Sequence, residues 1–310
     1  MAGRPVKRFL LSTLLFMFSL AIVLLYLFYG QPDANIITQV RIPRLILTLV
    51  TGMTLAGIGS VYQLMLANPL AEPYILGISS GAAFGSIVAG LMGFLVLMPL
   101  GGFAGASLTM LIVWRLAQHH GRFDKGRLLI AGVITAMFFA AGISLIMYLN
   151  LEDTALIMGT LMGNLGRIFS IQEWYVFLGL VLLSLVLLGY LFFKSHDLEV
   201  LSCGDEYAAS LGIEVQRLRT LVFVISSVVI GICVSYAGII GFVGLITPHV
   251  VRFFIPSSQK KIYVVSLILG GVFLLLCDLL AKHLLAIELP VGIITSFIGC
   301  PFFMWLLLKK

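Results

Sequence analysis

Between Glu72 and Arg115 the chain runs for 42 residues without a single charge. A helix crosses a hydrocarbon core of roughly 30 Å with about 20 apolar residues, so this run is too long for one crossing and has to reverse. Gly93, Pro99, Gly101 and Gly102 supply turn chemistry near its middle. In lipid every backbone polar group must be paired within the protein, which leaves helices as the expected crossing element. The same pattern recurs along all 310 residues, 61% of them hydrophobic and 10% charged. Soluble domains carry roughly 45–50% apolar and about 25% charged residues, so a water-soluble enzyme is excluded. The expected fold class is an all-α polytopic membrane protein.

Charge-free runs bounded by charges or Pro/Gly breaks predict ten spans, at 9–29, 45–66, 75–92, 97–114, 128–149, 174–193, 220–237, 240–251, 262–281 and 290–308, within one transmembrane domain covering 1–310. The segment 220–251 could also be one tilted helix, and the distribution of cations decides between the two. With ten spans and both termini cytoplasmic, 15 of the 19 Lys and Arg fall on the inner side, leaving Arg41, Arg44, Arg167 and Lys282 outside. Merging 220–251 leaves only 11 inside against 8 outside. The ten-span arrangement therefore places a tight reversal near Gly238, Gly241 and Gly244, where irregular backbone must be buried in protein or face a water-filled cavity.

The first apolar stretch, Phe9 to Tyr29, lacks a small-x-small cleavage site and is expected to be a retained span rather than a signal peptide. Cys203, Cys233, Cys277 and Cys300 are far apart and behave as small apolar residues. Gly77, Gly81 and Gly85 share one helical face, as do Gly101 and Gly105, at the spacing that lets membrane helices approach closely. Gly77-Ile-Ser79-Ser-Gly81 matches the G-x-S-x-G pattern of a serine nucleophile, but here it opens a membrane helix rather than joining a strand to a helix. There is no G-x-x-x-x-G-K-[ST], so ATP cannot be bound through a P-loop. Neither a metal-ligand pattern nor a cofactor motif occurs, and the short cation clusters fit membrane orientation rather than nucleic acid.

Asp278 is the one formally charged residue inside a predicted span, and Lys282 lies one helical turn further on. A local i,i+4 ion pair is the simple reading, a proton relay the alternative. Residues 194–219 form the largest polar stretch on the inner side, and within it the segment 203–214 holds an expected short amphipathic helix that starts at Asp205 and Glu206 and stops at Gly212. It suits a solvated connector or a docking element. The outer cations suit snorkelling to the interface or a basic face for an acidic partner.

Five ordered blocks of sequence resemble the FecCD family, the permease subunits of ABC importers for iron–siderophore complexes, haem and vitamin B12. They are Arg41-Ile-Pro-Arg44; Asn68-Pro-Leu-Ala-Glu-Pro73 with Leu76-Gly77 and Gly81-Ala82; Ala209-Ser-Leu-Gly212; Gly241-Phe-Val-Gly-Leu-Ile-Thr-Pro-His249 with Arg252; and Glu288-Leu-Pro-Val-Gly292 with Gly299-Cys-Pro-Phe302. The resemblance implies a ten-helix type II importer permease that works as a homodimer or heterodimer in the bacterial cytoplasmic membrane. It implies a pathway at the permease interface, two cytoplasmic ATPase subunits and an extracytoplasmic substrate-binding protein. On it, Arg41, Arg44 and Lys282 are docking residues for the binding protein, and Asn68 and Leu70 form a cytoplasmic gate. Glu206, Ala209, Leu211 and Gly212 make the ATPase contact. The cargo implied is a ferric chelate, with cobalamin as the alternative; an ion-coupled carrier is the more remote one. Two departures stand out: 150–170 lacks Trp, and Lys282 replaces an Arg, keeping the charge without the bidentate fork.

Overall fold

A computed structural model describes residues 17–30, 32–74, 76–94, 97–119, 122–151, 154–254 and 258–308. Among these the chain is nearly all helical. The helices are α1 (Met17–Phe28), α2 (Ala34–Met65), α3 (Ile78–Leu91), α4 (Met98–Ala117), α5 (Lys125–Leu149) and α6 (Thr154–Met162). There follow α7 (Ile171–Phe193), α8 (Ser195–Ser202), α9 (Asp205–Ser210), α10 (Val215–Ala237), α11 (Val243–Phe254), α12 (Gln259–His283) and α13 (Val291–Leu308). A two-residue antiparallel ladder, β1 (Gln118–His119) with β2 (Arg122–Phe123), joins α4 to α5. Six helices (α2, α4, α5, α7, α10 and α12) are long and apolar enough to cross a membrane, and four shorter apolar helices accompany them. Residues 9–16 of the first predicted span and the terminal Lys309 and Lys310 lie outside the described residues.

Helix α2 is the spine of the fold. It starts eleven residues before the predicted span, passing through a wide π turn at Ile37–Arg41 just ahead of Pro43. Pro43 has no N–H to donate to the preceding turn, which the widened turn accommodates. Helices α11 and α12 lie against α2 at glycines: Gly59 meets the backbone of Gly244, and Gly52 meets that of Gly270. The two glycine faces predicted from spacing also meet, Gly81 and Gly85 of α3 against Gly105 and Gly101 of α4. Without a strong hydrophobic drive between helices in lipid, such close backbone packing supplies the attraction.

The helix is interrupted after Ala237, so α10 and α11 are separate helices. Gly238 turns at φ +73°, Phe242 takes φ +69°, and the Ile239 N–H donates to the Thr160 carbonyl of α6 at 2.8 Å. The irregular backbone is thus paired inside the protein. Helices α6 and α8 lie in segments where no helix was expected, α6 because it is only nine residues long.

Candidate functional site

At one end of α2 the scarce charges converge. Arg44 is buried, and its guanidinium meets Asp278 of α12 fork to fork, Nη2 to Oδ1 at 2.7 Å and Nε to Oδ2 at 3.0 Å. Its Nη1 donates to Glu288 Oε2 at 2.9 Å, and Glu288 itself is exposed. The Tyr26 hydroxyl of α1 donates to Asp278 Oδ2 at 2.6 Å, and Lys282 Nζ donates to that hydroxyl at 2.9 Å while lying 4.1 Å from the Tyr26 ring centre. The expected Asp278–Lys282 pair exists at 3.7 Å, but Arg44 is the closer partner. A carboxylate carried into an apolar helix needs such compensation from several sides. Arg41 Nη1 donates to the carbonyls of Leu27 at 3.0 Å and Tyr29 at 2.8 Å, closing the C-terminal end of α1. The fourth outlying cation, Arg167, pairs with Glu173 at 3.1 Å and lies over the Tyr236 ring.

The opposite end of α2, about 30 Å away at 1.5 Å per residue, leads into the loop 66–77. Asn68 Oδ1 accepts from the Leu70 N–H at 2.9 Å, a local turn that leaves Leu70 exposed. The next acid, Glu72, is buried and accepts from the backbone N–H of Phe242, at the start of α11. Burial pushes its carboxyl up to about 7, against the opposing pull of that hydrogen bond. Glu72 carried no assigned role in the sequence reading. Its signal was an acid held between Ala71 and Pro73 with no neighbouring cation.

Glu72 lines a cavity of about 890 Å³ between the loop, the α10–α11 break and α13. Phe242, Met162, Phe297 and Met304 give it an apolar wall. Its size suits a bulky organic ligand. Among the described residues no group of three His, Cys, Asp or Glu could hold a metal ion.

The segment expected to start at Asp205 and stop at Gly212 does so. Helix α9 spans Asp205–Ser210, and Gly212, at φ +82°, closes it with its N–H donating to the Ala209 carbonyl at 3.0 Å. Ala208 is buried and anchors the helix, while Glu206, Ala209, Leu211 and Gly212 are all exposed. Tyr207 and Leu211, 54% and 57% exposed, form an unusually apolar tip for so polar a stretch.

The family model of the FecCD transport family matches residues 8–309. The chain belongs to the FecCD transport family. It is 37% identical over 299 residues to an ABC transporter permease of Methanocaldococcus jannaschii, covering 91% of this chain and 84% of that protein. An iron chelatin transport system permease of Helicobacter pylori is 38% identical over 277 residues, 88% of this chain and 82% of that one. The cobalamin import system permease of Halobacterium salinarum is 36% identical over 287 residues, 90% and 75% respectively. A solved inward-facing metal-chelate type ABC transporter superposes with a TM-score of 0.84 at 29% identity, covering 96% of this chain and 98% of that one. This FecCD-family chain is a membrane permease subunit of an ABC importer.

Proposed function

We propose that this permease imports a ferric chelate, a siderophore complex or haem, across the cytoplasmic membrane. It crosses ten times with both termini cytoplasmic, the six long helices and four shorter apolar ones supplying the crossings. The observation that carries the reading is the apolar cavity of about 890 Å³, whose size and lining suit a large organic-wrapped cargo. Relatives named for iron chelatin and for cobalamin stand at 38% and 36% identity, so a corrinoid is the second reading.

In this reading a second permease subunit completes the pathway, and two ATPase subunits seat on α9 through Glu206, Ala209, Leu211 and Gly212. A loaded binding protein docks at Arg41, Arg44 and Lys282, with acids of its own facing these cations. Asn68 and Leu70 gate the inner end. Asp278 is already matched by Arg44, which argues against its use as a site for a coupling ion.

Reconstitution with the ATPase and binding protein tests the proposal. ATP-dependent uptake of a radio-iron chelate in preference to cobalamin is expected. Uptake driven by an ion gradient without ATP overturns it, and ATP-dependent uptake of cobalamin alone selects the second reading.

A further inference from the structure

Arg219 is among the largest fully buried side chains of the protein, at 1% exposure. A buried cation near the start of an apolar helix needs a reason. Its guanidinium faces Asp205, the first residue of α9, with Nη1 to Oδ2 at 2.8 Å and Nη2 to Oδ1 at 2.7 Å. The same group lies 4.2 Å from the ring centre of Phe123 on β2. Arg219 therefore touches three pieces at once: α9 through Asp205, the β1–β2 ladder through Phe123, and the base of α10, on which it lies.

Two further observations give this contact a mechanical meaning. First, α9 sits between Gly204 at φ +131° and Gly212 at φ +82°, and a Cβ at either glycine would touch nothing within 4 Å. Ala208 anchors the middle of this six-residue helix, and Arg219 is the group that holds its first residue, next to the Gly204 joint. Second, aromatic contacts continue inward from Phe123. Its ring lies 5.4 Å from Trp114 of α4, Trp114 lies 5.1 Å from Phe223 of α10, and Phe223 lies 5.9 Å from Tyr62 of α2. Tyr62 is one turn before the loop that holds Asn68 and Leu70, and its carbonyl accepts from the Leu66 N–H at 3.0 Å.

We infer that Arg219 is a positioning residue that makes α9 rigid with α10 and the β ladder, so that displacement of α9 by an ATPase moves the foot of α2 and its gate loop. The inference rests on the reading of α9 as the ATPase contact. Arginine suits the task because one planar group can pair with a carboxylate in its plane and stack on a ring with its face. Lysine keeps the charge but loses the fork and the plane.

The test uses the complete transporter in proteoliposomes, with three readouts: ATPase co-purified, ATP hydrolysed, and substrate moved per ATP. In Arg219→Lys and Asp205→Asn the ATPase should co-purify in wild-type amount, while substrate moved per ATP falls by roughly fivefold or more, the lower range of coupling between distant sites. Asp205→Glu, which keeps the carboxylate, should retain most of the coupling. If Arg219→Lys fails to assemble, Asp205→Asn and Phe123→Leu alter the same contact at less cost and carry the test. Unchanged transport per ATP in assembled Asp205→Asn and Phe123→Leu transporters overturns the inference, including the case where only yield or melting temperature falls. The α9 reading itself is tested by Leu211→Glu: loss of the ATPase supports it, and retention removes it independently of the Arg219 result.

Discussion

Arg44 and Asp278, 234 positions apart in the chain, form a two-bond ion pair, 2.7 Å at its shorter contact, with both side chains almost fully buried. Breaking a buried pair by removing one partner typically costs about 3–5 kcal/mol, because the survivor is left uncompensated. Asp278→Ala is therefore expected to lower the melting temperature of the purified permease sharply. The double variant Arg44→Met with Asp278→Leu should recover part of that loss, since it removes the orphaned guanidinium, while Tyr26 and Lys282 still lose their carboxylate partner. A single Asp278→Ala variant that melts like wild type would show the pair to be dispensable.

Glu288 differs from Asp278 although both contact Arg44. Its side chain is 59% exposed, and exposed ion pairs contribute at most about 1 kcal/mol. Glu288→Gln should leave the melting temperature nearly unchanged. If Arg44 is a docking residue, the same change removes a competing carboxylate and tightens binding-protein association several-fold at low salt, with a smaller gain at high salt. Titration of the purified binding protein against wild type and variant, at two ionic strengths, measures this.

Glu72 makes stability depend on pH. Its carboxyl titrates at about 7 in the folded chain, raised from 4.5 by burial. Between those values the folded state holds a proton that the unfolded state has released, so stability falls as pH rises. The contribution is greatest below 4.5, declines through the interval and is constant above 7. Glu72→Gln should flatten this part of the profile, so the wild type loses more melting temperature between pH 5 and 8 than the variant does. Equal slopes would mean that Glu72 does not ionise over that range.

Glycine positions divide into two kinds. A methyl group at Gly59 would collide with the Gly244 carbonyl on α11, whereas one at Gly179 or Gly189 on α7 would meet nothing within 4 Å. Gly59→Ala must push two helices apart, at a cost of roughly 1–3 kcal/mol. Gly179→Ala should be neutral or stabilising by up to about 1 kcal/mol, the helix-propensity difference. Melting curves of the two variants side by side decide the matter.

Much of the helical plan could be read from apolar runs and charge positions, because lipid allows few alternatives. The errors have local causes. Counting from the last charge trims helix ends, so α5 and α12 extend back into polar residues, to Lys125 and to Gln259-Lys260-Lys261. Helix α7 starts at Ile171 because Ser170 and Glu173 form a reciprocal capping box, a four-residue signal visible in the sequence. The partner of Asp278 could not be read, since spacing along one helix suggested Lys282 and nothing local points 234 residues away to Arg44. Nothing in the sequence marks Glu72 as buried, because it lies between spans and is covered only when the loop folds against Phe242.

The cavity beside α13 is walled mainly by rings, methyls and thioethers, with Glu72, Tyr74, Ser296 and Cys300 among its few polar side chains. A wall of that kind offers shape but little directional grip. If the cargo takes this route, as the proposed function has it, it meets a smooth chute rather than a latch, with few bonds to break on leaving. Under the proposed function, selectivity and retention then fall to the binding protein that delivers the cargo, and exchanging that protein is expected to change which cargo is carried.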